Sequence, residues 1–489
     1  MEKEFYGIDL GTTYSCIATI DEDKVVTVIP NPSGQLTTPS VVYFDENGKV
    51  LVGKGAKSHL ASEPENTVAF VKREMSNDDY SRTIRGKKYN QVDISAEILK
   101  YMVSFANEKR VNEEGKQPLY DVVITVPAYF GDGERKRTAA AAEQAGLHLI
   151  KLINEPTSAA LSYGKKQSGD KNLLVYDLGG GTFDVTILQF KNGIANVLAS
   201  RGDHMLGGAD WDQKLAETVL EKIRVKWDSL DDKEKNMMMI AAEDAKQSLS
   251  VDDSTTLTFN YKGIHSENVT RAEFEAATQT LLQRTKLLVE EAMSAAQLSI
   301  NQIDEVIMIG GSSLMPMVKT MVSDIMGLPP KLVDPHLAVA KGAAMMAFQE
   351  ETGQSVGGLM IGTDKGSRAY GTDCLNSDGI KVVENLIMMN DDQEIQRETY
   401  FLTVADGQTA TEFHFYENQS EEKYTDIESS KELEGTSQIL DWGKPVPKGT
   451  RVNCVTVRDK NGCIRIFVEC AGASKEFEIL TPGISKRHN

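Results

Sequence analysis

Leu173-Leu174-Val175-Tyr176-Asp177-Leu178-Gly179-Gly180-Gly181-Thr182-Phe183-Asp184-Val185 runs from apolar residues into a carboxylate, three glycines, a hydroxyl and a second carboxylate. The apolar run predicts a buried strand that ends in a turn, and the glycines let that turn present bare amides to an anion. Asp177, at the end of such a strand, is costly to desolvate unless paired; hydrated Mg²⁺ beside phosphates is a natural partner for it. Taken alone, the segment fits a glycine-rich hairpin of any β protein equally well. A second copy, Tyr6-Gly7-Ile8-Asp9-Leu10-Gly11-Thr12-Thr13-Tyr14, repeats the order of apolar strand, Asp-Leu-Gly and small turn residues. Two such hairpins predict a duplicated domain whose halves face each other across a cleft. One turn contributes Gly11, Thr12, Thr13 and Tyr14, the other Gly179, Gly180, Gly181 and Thr182. Asp9 and Asp177 would hold the metal through water. Neither turn is a Walker loop, since no Gly-Lys-Ser/Thr follows.

The elements that must position these turns follow from periodicity. Residues 25–29, 40–44 and 121–126 read as strands, the last stopped by Pro127. Helical patterning covers 94–110, 132–146, 211–226 and 233–249, and a helix opens at Glu155-Pro156, where proline suits the first turn. Glu243, Lys246 and Ser250 share one helix face by their spacing. Residues 305–309 form a strand that enters Gly310-Gly311-Ser312-Ser313, and 335–351 reads as a closing helix. Thr352 to Gly358 is the most linker-like stretch in the chain, and from about Lys365 short runs of Val, Ile, Phe and Thr predict strands. Asp459-Lys460-Asn461-Gly462 is a hairpin signal.

A chain of 489 residues with 40% hydrophobic content can bury more than one core. Its net charge of -19 argues against broad nucleic-acid or anionic-membrane binding. No apolar run reaches the length of about 18 residues that spans a bilayer, and the first residues lack a leader pattern, so the cytoplasm is the expected compartment. Five cysteines without a C-x-x-C pair indicate neither a disulfide framework nor a zinc site.

GIDLGTT at 7–13, VVITVPAYF at 122–130, INEPT at 153–157, YDLGGGTFDVT at 176–186 and IGGSSLMPMV at 309–318 together resemble the seventy-kilodalton heat-shock chaperones. The resemblance implies an α/β, actin-like, two-lobed ATPase domain of duplicated ribonuclease-H-like halves over 1–352. A linker at 353–364, an all-β sandwich for peptides at 365–482 and a tail at 483–489 would follow. It implies ATP and ADP with Mg²⁺ as ligands, and unfolded or peptide clients as partners, with a J-domain co-chaperone and a nucleotide-exchange factor. Lys72, Glu155, Asp177, Thr182 and Asp184 would position water and balance charge in hydrolysis. Gly207 and Gly208 would lie near the phosphates, Glu243, Lys246 and Ser250 near ribose and adenine, and Gly310, Gly311 and Ser312 along adenosine and the α-phosphate. Pro127 and Arg135 match a relay that reports nucleotide state, and Phe401 matches a channel-lining aromatic of the peptide site.

The sequence also departs from the family. Ala209 stands where a glutamate usually follows the two glycines, so one clasp across the cleft is expected to be missing. Leu314 replaces an arginine stacked on adenine, a loss worth about 1–2 kcal/mol, or roughly 5- to 30-fold in affinity. His336 replaces an aspartate, and Thr411 an aliphatic floor of the central peptide pocket. The linker-like stretch carries few apolar residues, which predicts weak docking, and no lid helix is expected after Leu480. Three other readings stay open: a small-molecule kinase of the same fold, a filament-forming protein, and an interaction module uncoupled from peptide binding.

Overall fold

The computed structural model describes residues 4–113, 115–164, 169–362, 364–433 and 437–479. The expected tail at 483–489, the last residues of the expected β domain and position 363 of the linker lie outside the described residues. The chain divides into two compact units, one of Met1–Ala128 with Arg137–Gly362, the other of Tyr129–Lys136 with Thr363–Asn489.

The first unit holds the same sheet twice. Strands β1 (Phe5–Asp9), β2 (Tyr14–Ile20), β3 (Val26–Val28), β4 (Asp121–Val126) and β5 (His148–Asn154) lie in the order β5-β4-β1-β2-β3. In the second lobe β6 (Lys171–Leu178), β7 (Phe183–Lys191), β8 (Ile194–Asp203), β9 (Glu305–Ile309) and β10 (Lys331–Leu332) lie in the order β10-β9-β6-β7-β8. In both sheets an antiparallel hairpin, β1/β2 or β6/β7, is extended on one side by two parallel strands and on the other by an antiparallel one. This is the duplication that the paired Asp-Leu-Gly turns predict.

Besides the single turn Lys54–Lys57, longer helices among the described residues connect and cover these sheets: α1 (Gln91–Glu108), α2 (Asp132–Gln144), α3 (Glu155–Gly164), α4 (Gly208–Lys222), α5 (Asp232–Leu249), α6 (Arg271–Ala295), α7 (Pro316–Met326) and α8 (Ala338–Thr352). Strand β6 is apolar from Leu173 to Tyr176 because both of its faces are covered there. Leu174, Tyr176 and Leu178 point into one core with Trp211, Leu215 and Met238 of α4 and α5. Leu173 and Val175 alternate into another with Phe5, Ala159, Ala160, Ala343 and Ala347. There α3 and α8 approach so closely that a Cβ on Gly342 would lie 1.7 Å from the Ser158 carbonyl oxygen. Small residues along α8 are the condition of that contact.

Several boundaries shift by a few residues from the sequence expectation, and two features depart from it for clear reasons. Helix α8 starts at Ala338 rather than Pro335, because the Pro335 carbonyl accepts from Gly310 N at 2.9 Å and the Asp334 carbonyl turns the chain by accepting from Leu337 N and Ala338 N. Residues 250–305, which carry no motif, hold a hairpin of Ser254–Asn260 and Ile264–Thr270 and the 25-residue α6, opened by a Thr270/Glu273 capping box.

The linker-like stretch is docked within the first unit. Val356 and Leu359 are buried, and Met360–Ile361 adds a parallel edge strand beside Ile194 and Ala195. Met360 N donates to Gly193 O and Gly362 N to Ala195 O, both at 2.9 Å. Its sparse apolar content understates this anchoring, since backbone hydrogen bonds carry much of it.

The second unit is a β sandwich. Strands β11 (Ala369–Leu375), β12 (Lys381–Ile387), β13 (Ile395–Leu402), β14 (Gln408–Phe413), β15 (Phe415–Asn418), β16 (Gln438–Val446), β17 (Arg451–Arg458), β18 (Ile464–Cys470) and β19 (Ala473–Glu478) form its body. One sheet centres on β12-β11-β15, a second runs β13-β17-β18-β19, and β14 pairs with β16. Tyr370, Leu386, Phe413, Phe415, Trp442, Ile466 and Phe477 fill the space between them.

Candidate active site

Within the first unit the two glycine turns meet. A Cβ on Gly180 would sit 1.9 Å from Thr13 Oγ1, and one on Gly181 would sit 2.2 Å from Thr12 Cγ2. The start of α4 presses on the same place, where a Cβ on Gly207 would fall 2.5 Å from the Gly181 backbone. Gly208 N and Ala209 N donate to the carbonyls of Gly179 and Gly180 at 2.9 and 2.8 Å, and Gly179 N to Thr182 O at 3.0 Å. The first turn is braced by Ser40, whose hydroxyl donates to Gly11 O at 2.7 Å and whose amide donates to Thr13 O at 2.8 Å. The Thr13 hydroxyl is buried without a protein partner, as suits a group that awaits a ligand.

Four acids and one lysine share the ground beside these turns. Asp9 and Asp177 end β1 and β6, Asp184 lies opposite Asp177 in the hairpin register, and Glu155 opens α3. Lys72, buried on the 3₁₀ turn Val71–Ser76, forms an ion pair with Glu155. Burial holds the Asp177 carboxyl well above the usual range, with Glu155, Asp184 and Asp9 adding to the effect and Lys72 opposing it. Asp9 is raised in the same way, by burial and then by Glu155, although Lys72 and a hydrogen bond from Thr125 Oγ1 at 3.2 Å favour its charged form. Acids crowded in this way around Lys72 favour either protonation of a carboxyl or the arrival of a cation. Oxygen donors at the ends of two facing strands suit a hard, hydrated cation such as Mg²⁺. Among the described residues no three His, Cys, Asp or Glu side chains form a direct metal cluster.

The remaining candidates are spread over two neighbouring places. Glu243 of α5 accepts from Tyr14 Oη at 3.1 Å and pairs with Lys57 Nζ at 2.6 Å, joining the lobes. Lys246 pairs with the buried Asp212 at 2.7 Å and donates to Gly208 O at 3.0 Å, while Ser250 caps α5 by donating to Lys246 O. Gly310, at φ 78°, leads β9 into the 3₁₀ turn Gly311–Leu314, where Ser312 is buried. The His336 ring lies against Gly311, and Leu314 is exposed.

Of the two relay candidates, Pro127 follows β4 in the first unit, and Arg135 belongs to the second, its Nε donating to Phe130 O at 3.0 Å. Phe401 is half-buried on β13 and meets Phe413 edge-on at 6.2 Å.

Sequence reasoning missed several side chains that hold the site. A clasp exists despite Ala209: the Arg73 guanidinium pairs with Asp210 and its Nε donates to Gly181 O at 3.0 Å. Ser40, Lys57, Thr125 and Asp212 were passed over as well. Arg73 adjoins Lys72 and Asp210 adjoins Ala209, so nearness to a motif was the one available signal; the others carry none.

Duplicated sheets with helices α3 and α8 between them, and paired glycine turns flanked by strand-end aspartates, define an actin-like two-lobed ATPase fold, here followed by a β sandwich. The family model described as Hsp70 protein matches residues 5–486, and the chain belongs to that family. Proteins named Chaperone protein DnaK from Thermotoga petrophila and Thermotoga maritima are each 36% identical to it over 99% of this chain and 81% of their own length. One of the same name from Thermosipho melanesiensis is 35% identical with the same coverage.

Proposed function

We infer that this protein is an ATP-dependent chaperone of the Hsp70 family, in which water attacks the terminal phosphoryl group of ATP to give ADP and phosphate, and which engages unfolded or extended peptide segments. The observation that carries the reading is the meeting of the two glycine turns beside the buried Lys72–Glu155 pair. The family match does not favour the sugar-kinase or filament readings.

In the proposed site, amides around Gly11 to Tyr14 and Gly179 to Thr182 cradle the phosphates, with Gly207 and Gly208 closing over them. Glu243, Lys246, Ser250, Gly310, Gly311 and Ser312 border the nucleoside. Asp9 and Asp177 would hold Mg²⁺ through water; when bound, the ion neutralises charge on the terminal phosphates. Lys72 balances the charge that develops as the phosphoryl group separates, while Glu155, Thr182 and Asp184 orient the attacking water. Such a loose transition state needs positioning more than a strong base.

The proposed domains are an ATPase domain over 1–352, a linker over 353–364 and a peptide-binding sandwich beyond it, with Pro127 and Arg135 in a relay and Phe401 in the peptide site. Partners of the J-domain and nucleotide-exchange classes are proposed on the family relationship. A reducing compartment, the cytoplasm, suits five free cysteines; among the described residues no helix is long and apolar enough to cross a membrane. Steady-state ATPase of the whole chain, with and without extended apolar peptides, tests the reading. Hydrolysis that peptide accelerates is expected; a chain that binds but never turns over ATP would refute it.

A further inference from the structure

Arg137, on α2, is among the largest fully buried side chains of the protein, at 1% exposure. A guanidinium so placed is costly unless its donors are met. Nη1 donates to the Met75 carbonyl at 2.5 Å, and Nη2 pairs with Asp78. Both partners belong to the exit of the 3₁₀ turn Val71–Ser76, the turn that carries Lys72 and Arg73.

Val71 and Met75 bury that turn's apolar side chains, but its backbone is held less firmly. Its hydrogen bonds have the poorer geometry of a 3₁₀ helix, and the chain enters it through Phe70 at φ 58°, in the left-handed region that non-glycine residues rarely adopt. At the exit Asn77 N donates to Glu74 O, and Gln91 Nε2 donates to Asn77 O at 2.9 Å. Arg137 supplies the charged anchor there. From one end of the turn it holds a backbone carbonyl and a carboxylate; from the middle, Lys72 reaches Glu155 and Arg73 reaches Asp210.

We propose that Arg137 is a positioning residue for ATP hydrolysis: by fixing the Met75 carbonyl and the Asp78 carboxylate it sets the turn that delivers Lys72 to the terminal phosphoryl group. The proposal rests on the reading of Lys72 given above.

The test is single-turnover hydrolysis and ATP affinity of the full chain in three variants, Arg137→Lys, Asp78→Asn and Lys72→Ala, each checked for folding by circular dichroism. Asp78 has a 43% exposed side chain, and asparagine keeps an oxygen that can accept from Arg137, so this is the milder variant for folding. Lysine can meet one of the two partners of Arg137 but not both in fork geometry. Misplacement of about 1 Å is worth roughly a hundredfold in rate, so hydrolysis should fall about 10-fold or more in Arg137→Lys and about 3- to 10-fold in Asp78→Asn. ATP affinity should stay within about threefold. Wild-type rates in both folded variants, or affinity that falls by the same factor as the rate, overturn the proposal. If Lys72→Ala hydrolyses at the wild-type rate, it is the underlying site reading that fails; if that variant is inert and the other two are unaffected, the failure belongs to Arg137 alone.

Discussion

Lys72 and Glu155, separated by 83 positions in sequence, form a buried ion pair at the meeting of the 3₁₀ turn and the first turn of α3. Asp9 and Asp177 face the same lysine, so the pair is part of an acid-rich site that a cation and a polyphosphate would complete. Lys72→Ala removes the ammonium and leaves Glu155 buried without it. Hydrolysis should be lost, with a stability penalty of about 3–5 kcal/mol for the stranded charge. The double variant Lys72→Ala/Glu155→Gln separates the two effects: urea unfolding should recover most of the stability while turnover stays absent. Wild-type turnover in that double variant would sink the assignment of Lys72.

The Arg73–Asp210 clasp joins the lobes at the position where Ala209 had implied none. Asp210 also receives Gly207 N at 2.8 Å, as the capping residue of α4, so Arg73→Met is the cleaner change. A charge-assisted contact that is partly solvated contributes on the order of 1 kcal/mol. Loss of a fluorescent nucleotide followed by stopped flow should therefore quicken about fivefold. Unchanged release would show that the clasp does not hold the cleft shut.

Gly207→Ala tests the closeness of the turns. The added methyl would meet the Gly181 backbone at 2.5 Å, where no flexible side chain can swing away. Nucleotide binding measured by calorimetry should fall at least tenfold with the fold retained. Ordinary affinity would mean that the two turns are more loosely opposed than the structure has them.

These contacts mark how far the sequence could be read. The paired Asp-Leu-Gly turns were legible because strand, carboxylate and turn glycines lie within a few residues of one another, and the same local order predicts the facing halves. Arg73 with Asp210, Lys57 with Glu243 and Arg137 with Asp78 join residues far apart, and an arginine on a helix looks solvated until the fold buries it. The start of α8 was misjudged for a related reason: Pro335 suits a helix start, but Gly310 recruits its carbonyl from another strand. The long α6 lay in a stretch without motifs, although its capping box was there to be seen.

Asp212 gives the protein a pH dependence with a defined sign. Burial pushes its carboxyl from about 3.8 up to about 6 against the opposing pull of Lys246. With the folded value above the unfolded one, the folded state holds the proton more tightly. The contribution is fully present below the unfolded value and is lost as pH rises through about 6. Its size follows from the shift and is on the order of 1–3 kcal/mol. Urea unfolding between pH 4 and 7 should show this decline in the wild type, and Asp212→Asn should remove its share while leaving that of Asp9 and Asp177. A difference between the two that stays constant over that window would show that Asp212 titrates normally.

The edge strand Met360–Ile361 is where coupling between nucleotide and peptide can be tested apart from either site. Its hydrogen bonds to Gly193 and Ala195 use backbone alone, so side-chain substitution leaves them possible but removes what presses the strand home. Leu359 does that pressing: it is 5% exposed, and a Cβ on Gly164 would lie 2.2 Å from its Cδ2. Leu359→Ser should cost about 2–4 kcal/mol of local stability, seen as faster hydrogen exchange at Met360 and Gly362. It touches no group of the ATP site, so basal hydrolysis should hold within about twofold. If the strand transmits, acceleration by extended apolar peptides should drop to the basal level in this variant. Faster exchange with undiminished acceleration would place the coupling elsewhere in the chain.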